Sequence, residues 1–304
     1  MHRVAPTVLV ATLLVASVTA QTGGLDILEG PTIFADGTLI TLSEVFRRRT
    51  RTFAGSDSVA DPSKRERIDH QFTLGLQYGV LPELTVTALL PYVTRDLEAT
   101  TSGVRSTTET DGVGDASLIF KSRLYKKDWE LNTFAVSLIA GVEAPTGATN
   151  ETEAGIRVSP GLQPGSGSWD GVFAAAVTLQ LDRWKFNSIV LRQVQGHGAH
   201  NHTFGDATVV EVSAGNRFWI DKYPGPSMNA ALAVQFRHDA ASDLGGAPVA
   251  NTGGDFVTLK PSLVFHPQPW WDLVLTAEVP IYRDVNGTQL TSDFAIFFAL
   301  GYRF

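Results

Sequence analysis

Apolar and polar residues alternate along most of this chain, in stretches of about ten residues divided by breaks. In RIDHQFTLGLQYG, Phe72, Leu74, Leu76 and Tyr78 share one parity while Gln71, Thr73, Gly75 and Gln77 hold the other. NAALAVQFRHD sets Leu232, Val234 and Phe236 against Asn229, Gln235, Arg237 and Asp239. VVEVSAGNRFW sets Val210, Val212 and Phe218 against Glu211, Ser213, Gly215 and Arg217. A period of two is that of a strand with unlike faces, and helical period is nearly absent. Segmentation on this signal predicts twelve strands, near residues 38–53, 67–78, 84–95, 113–125, 130–143, 169–181, 186–195, 206–220, 228–238, 255–266, 272–283 and 291–304.

The breaks alternate in length. Short ones are LPE (81–83), KKDW (126–129), DRWK (182–185), DKYPGPS (221–227) and HPQPWWD (266–272). Between them lie longer polar loops near 54–66, 96–112, 144–168, 196–205, 239–254 and 284–291. A bacterial transmembrane barrel has this asymmetry, with tight periplasmic turns and long outer loops. Aromatic placement is an independent test, because membrane barrels place Tyr and Trp in girdles at the two interfaces. Tyr78, Tyr125, Trp129, Trp184, Trp219, Tyr223, Trp270, Trp271 and Tyr302 fall at the short-turn end, and Tyr92, Trp169 and Tyr282 at the other. The pattern therefore predicts an all-β, transmembrane antiparallel up-and-down barrel of about 12 strands. A soluble β-sandwich is the alternative, and solubility without detergent would support it.

The chain stops on AIFFALGYRF, with Phe294, Ile296, Phe298, Leu300, Tyr302 and Phe304 on one face. An end this apolar has to be held against something, and in a closed barrel it pairs with the first strand and faces acyl chains. It resembles the C-terminal signal of bacterial outer-membrane barrels, and that resemblance implies recognition by the barrel assembly machinery.

At the other end, MHRVAPTVLVATLLVASVTAQ has basic His2 and Arg3, an apolar run from Val8 to Val18 and small residues before Gln21. It reads as a secretory signal peptide cleaved after Ala20, its apolar run being too short for a membrane span. The expected organisation is a signal peptide at 1–20, a short segment at 21–37 that either plugs the barrel or stays periplasmic, and the outer-membrane barrel at 38–304. Cys is absent, so the fold holds without disulfides or thiolate sites. A net charge of -7 argues against general nucleic-acid binding.

Several stretches resemble the family described as the MetA-pathway of phenol degradation: GLQYGVLPELTVTALLPYV at 75–93, GVGDASLIFKSRLY at 112–125, EAPTGAT and PGSGSWDGVFA within 143–174, and the terminal LGYRF. Gly-Val-Gly-Asp followed later by Pro-Thr-Gly is the most specific part. The resemblance implies an outer-membrane channel or transporter for passive passage of small organic solutes, aromatic or hydrophobic ones included. It implies no cofactor and no residue-level site. The expected partners are outer-membrane lipid and lipopolysaccharide, the barrel assembly machinery and the small-molecule solute.

On the parity opposite the apolar face stand Asp115, Lys121, Arg123, Glu143, Glu211, Arg217, Arg237, Lys260, Glu278, Asp293 and Arg303. Both signs are present, so these residues either line a wet, selective passage or zip across it and close it. The loop GHGAHNHTFGD crowds His197, His200 and His202, which with Asp206 supply a candidate metal-ligand set. Against it, the spacing matches no helix-borne or strand-borne site. A metal-uptake barrel and a closed structural or adhesive barrel are thus alternatives to the channel. The run Arg47, Arg48, Arg49 and Arg51 suits contact with lipopolysaccharide phosphates or an anionic ligand, or is a solvated strand end. His70, His238 and His266 lie on separate strands with no nucleophile motif, so enzymatic activity is not expected.

Overall fold

The structure, a computed structural model, describes residues 27–304. The predicted signal peptide, and residues 21–26 of the short segment after it, lie outside the described residues. Among those described, twelve long strands make the wall: β1 (Thr38–Arg49), β2 (Glu66–Leu81), β3 (Leu84–Thr101), β4 (Ala116–Trp129), β5 (Asn132–Ala144) and β6 (Asp170–Leu181), then β7 (Trp184–Val194), β8 (Ala207–Ile220), β9 (Ser227–Asp239), β10 (Gly254–His266), β11 (Trp271–Thr291) and β12 (Phe294–Arg303). Each pairs antiparallel with its chain neighbour, and β1 pairs with β12 in the register Leu42↔Leu300, which closes the sheet. Closure leaves neither terminal strand with an unpaired edge.

The alternation sorts side chains to opposite sides of this wall. Outward residues include Leu42, Leu74, Leu90, Phe120, Leu138, Val190, Val212, Leu232 and Phe298, all exposed. A continuous apolar belt of that size is unsuited to water and fits acyl chains. Inward residues such as Thr41, Thr73, Gln77, Thr87 and Lys121 are buried. The molecule is thus greasy outside and largely polar inside, a transmembrane up-and-down barrel and not a sandwich. The apolar residues of β12 named above face outward, whereas Phe297 faces in and is 4% exposed.

Three sequence expectations need correction. KKDW belongs to β4, and the reversal comes at Glu130–Leu131, where Glu130 has φ +42°. The stretch 96–112 is not a loop: β3 continues to Thr101, and Val104–Val113 folds back on it through Ser102 and Gly103, whose φ values of +52° and +81° make a tight hairpin turn. Likewise 284–291 is not a loop: the chain reverses at Asn286–Gly287, where Gly287 has φ +70°, and 288–291 pair with Arg51–Ala54 in the register of β12 on β1, so that Arg51–Gly55 continue the line of β1 past a break at Thr50. These extensions are rich in Thr and charge on both faces, so a test for alternating apolar residues passes over them.

Candidate functional site

The inner wall has two unlike halves. On β3 to β7, inward Leu89, Ile119, Ile139, Val172, Ile189 and Leu191 form one packed cluster, each 4% exposed or less, with Ala174 and Ala176 leaving room for their neighbours. Ile27 and Leu28 from the N-terminal segment pack onto it. That segment lies inside the short-turn end: Gly30 N–H donates to Thr178 Oγ1 (2.9 Å), Ile33 N–H to Thr85 Oγ1 (3.0 Å), and Glu29 pairs with Lys185 at 2.5 Å. Gly30 is needed there, since a Cβ would stand 2.6 Å from the Ala135 carbonyl oxygen.

The other half, β8 to β12 with β1, carries charge. Arg47 pairs with Glu278 (3.0 Å), Glu278 approaches Lys260 (3.8 Å), Lys260 pairs with Glu211 (2.9 Å), and Gln235 donates to Glu211 (2.9 Å). The register explains the reach: Ala295 stands between Arg47 and Glu278, and Ala233 lies beside Lys260, so long side chains lean across a methyl group. Beside this ladder, on the short-turn side, a cavity of about 360 Å³ is lined by Glu29, Lys185, Asn187, Arg217, Asn229, His266, Asp272 and Arg303. The open space inside the barrel therefore follows the charged half.

At the long-loop end, residues 145–169 fold into the mouth. Arg67 Nη2 donates to the Gly161 carbonyl (2.8 Å), Arg95 to that of Gln163, and Thr110 Oγ1 to that of Leu162 (2.5 Å). Asp115 ties the loop base: Oδ1 accepts from Gly147 N–H (2.8 Å), and Oδ2 accepts from Ser166 N–H (2.6 Å) and Ser166 Oγ (2.8 Å). Gly147 and Gly165 touch backbone to backbone, so a Cβ on Gly165 would stand 2.6 Å from Gly147 C. Gly-Val-Gly-Asp, Pro-Thr-Gly and Pro-Gly-Ser-Gly-Ser, three of the stretches quoted for the family resemblance, thus meet in one knot.

The other residues singled out in the sequence are placed as follows. Glu143 is buried beside Ser117 Oγ (3.3 Å), and Lys121 is buried among the inward residues of β4. Arg123 lies 3.9 Å from Glu83, Arg217 donates to Asn229 (3.2 Å), and Arg303 pairs with Asp272 (3.0 Å), all toward the short-turn end. Arg237 pairs with Asp239 at 2.7 Å. Asp293 sits in a short break just before β12, where Thr50 Oγ1 (2.6 Å) and Arg51 (2.9 Å) hold it, since residues 288–291 and β12 pair with 51–54 and β1 in one register. The arginine run alternates, with Arg47 and Arg49 inward and Arg48 and Arg51 outward on Glu66 and Asp293. Arg67, Asp69 and Arg95 were missed, although they stand on the inward parity within the predicted strands 67–78 and 84–95; Arg49, named only as part of the arginine run, is buried beside Asp69.

The histidine loop does not assemble a metal site. His197 meets Thr203 Oγ1 (3.2 Å), His200 meets Asn150 Oδ1 (2.9 Å), and Asp206 is taken by Arg192 (2.6 Å) and Gln195 N–H (2.9 Å). His202 is buried against Phe204, ring centroids 4.7 Å apart, and burial, with Arg157 adding to it, pushes its pKa below the ordinary imidazole value. Among the described residues no three His, Asp or Glu side chains converge as ligands. His70, His238 and His266 each face a carboxylate, on Glu44, Asp255 and Asp272 respectively, at 2.7–2.9 Å.

A closed, lipid-facing barrel with tight turns at one end, long loops at the other and an inward-folded loop is the architecture of a bacterial outer-membrane barrel. The chain belongs to the family described as the MetA-pathway of phenol degradation, whose model matches residues 66–219. Among solved structures it is similar to the COG4313 outer membrane channel from Pseudomonas putida F1, with a TM-score of 0.68 at 14% identity over 90% of this chain and 98% of that one. It is also similar to the β-domain of the Bordetella autotransporter BrkA, with a TM-score of 0.51 at 11% identity over 88% of this chain and 100% of that one. At such identities the likeness concerns the fold. A comparison with curated proteins finds no match.

Proposed function

We propose that this barrel is a passive channel of the bacterial outer membrane for small organic solutes, driven only by their gradients. The observation that carries the reading is the cavity of about 360 Å³ on the charged half of the interior, where packed side chains would otherwise fill the wall. The ladder Arg47–Glu278–Lys260–Glu211 gives such a passage groups of both signs with which to select solutes. The family description and the channel relative from Pseudomonas putida F1 agree with this reading. The apolar N-terminal run supports export, and the outward aromatics of β12 support delivery by the barrel assembly machinery into lipid and lipopolysaccharide. The test is planar-bilayer conductance of the detergent-folded protein, which should show discrete steps whose cation-to-anion permeability ratio rises when Lys260 is replaced by Met. Persistent silence from folded protein would refute open passage.

A further inference from the structure

Near the long-loop end lies a second cavity, of about 140 Å³, bordered by β1, β9, β10 and β11 and the chain beside them at Gly205, Ala240, Gly253 and Ser292. Its wall has an unusual row. Arg237 on β9 is in register with Phe256 on β10, and Phe256 with Arg283 on β11, so an aromatic ring stands between two guanidinium groups on one level. Arg283 points inward only because of a bulge. Inward residues of β11 are even-numbered from Asp272 to Pro280, and the register slips between Val257 and Thr258, bringing Arg283 to the inner face. Bulges of this kind re-aim side chains and are frequent next to functional sites.

The guanidinium groups here are not balanced. Arg47 has Glu278 at 3.0 Å and Arg49 has Asp69 at 3.3 Å. Arg237 donates to Asp239 through Nε (3.0 Å) and its Nη2 lies 2.7 Å from the other carboxylate oxygen without a hydrogen bond, so that among the described residues both Nη1 and Nη2 are buried without an acceptor. Arg283 is 8% exposed, donates to the Ser292 carbonyl (2.7 Å), lies 4.9 Å over the Phe53 ring, and leaves its Nε buried with no partner. Among the described residues no carboxylate stands within ion-pair distance of it, and Asp293 acts on it only from farther off. A buried guanidinium with no carboxylate in direct contact and an unsatisfied N–H is costly, so the site favours a further negative charge with oxygen acceptors. Phe256, Pro280 and Leu290 form an apolar part of the wall, beside polar Gln235, Thr258, Gln289 and Thr291 and the ion-paired carboxylates of Asp239 and Glu278. A cavity of about 150 Å³ takes one benzene ring, so this one matches a single ring in size.

We propose that this cavity binds a small aromatic carboxylate, its carboxylate on Arg283 and the free edge of Arg237 and its ring against Phe256, Pro280 and Leu290. Guanidinium suits the carboxylate's planar, two-oxygen geometry, and the apolar wall distinguishes such a ligand from inorganic anions. The proposal deepens the channel reading and rests on it only for passage after binding.

The test is isothermal titration of the detergent-folded, full-length barrel with benzoate, and with benzyl alcohol as the neutral analogue. Benzoate should bind, benzyl alcohol at least about tenfold more weakly. Two variants should each weaken benzoate by about tenfold or more: Arg283→Gln, which removes the charge, and Thr258→Phe, which fills the cavity and leaves every guanidinium in place. Equal binding of the two probes, or benzoate binding unchanged in Thr258→Phe, overturns the proposal, and the second criterion holds even if Arg283→Gln fails to fold. Parallel bilayer recordings separate the two readings. Conductance without benzoate binding refutes the site and leaves the channel; benzoate binding with silent bilayers refutes the channel and leaves the site.

Discussion

Replacing Asp115 by Ala should release the loop that folds into the long-loop mouth. The carboxylate accepts three hydrogen bonds, from Gly147 N–H, Ser166 N–H and Ser166 Oγ, at 2.6–2.8 Å. Bonds to a charged acceptor are worth about 1.5–3 kcal/mol each, and those sharing one acceptor do not add in full. The loop should therefore lose about 3–5 kcal/mol of docking free energy, a shift of about 10²- to 10⁴-fold in its docking equilibrium. Anchors at Arg67, Arg95 and Thr110 remain, so the expected result is transient opening and not permanent loss. Single-channel records should show added excursions to a larger conductance. Hydrogen exchange should quicken over residues 145–168 and stay unchanged in β7 to β10. Asp115→Asn should give roughly half the effect, because its carbonyl keeps the Gly147 bond while its NH₂ faces the Ser166 N–H. Unchanged exchange in the loop of Asp115→Ala would show that Asp115 does not anchor it, and the knot argument would fail.

Gly165→Val should loosen the same loop by a different route, because its Cβ meets the backbone of Gly147 at 2.6 Å; wild-type conductance in a folded variant would contradict this contact. Phe298→Arg sets a charge on the lipid face of β12 and should cost about 2–4 kcal/mol in addition to the lost side-chain burial, read as an earlier urea midpoint for the barrel in vesicles; no shift would argue against a lipid-facing Phe298. The His202 loop should weaken in acid. Its pKa in the folded loop lies below the unfolded value, so the unfolded loop takes up the proton first. Loop stability is full above about pH 6.5 and falls as pH drops through that value. Protection at residues 198–206, corrected for the base-catalysed intrinsic exchange rate, should therefore be lower at pH 5 than at pH 7.5, and His202→Asn should flatten the dependence.

The barrel was legible because lipid on one side of a sheet and water or polar groups on the other impose a strict period of two, as in β2, where Phe72 and Leu74 face out and Gln71 and Thr73 face in. The tight turns and aromatic girdles were legible for the same reason, since they mark where the apolar belt stops. The outer hairpin at 96–113 was not, because above the belt nothing requires one face to be apolar, and Thr and charge fill both. The inward charges of β8 to β11 could be read by parity, yet their partners could not: Arg47 meets Glu278 only because the sheet closes through β12. The knot at Asp115 joins segments up to 51 positions apart in loops without periodicity, so the sequence displayed its pieces without their meeting. The bulge that turns Arg283 inward was hidden in the same way, since it breaks the parity rule that would locate it.

The division of the inner wall has an evolutionary reading. The loop that narrows one mouth is fastened by Arg67, Arg95 and Asp115, on β2, β3 and the approach to β4, whereas the Glu278–Lys260–Glu211 ladder belongs to β8, β10 and β11. A lineage adapting to a new solute can exchange charges on the second arc without rewriting the fastenings on the first. Sequence drift in related barrels should then separate into two blocks of unequal tempo, a slow one that keeps the mouth shaped and a fast one that follows whatever the surroundings supply.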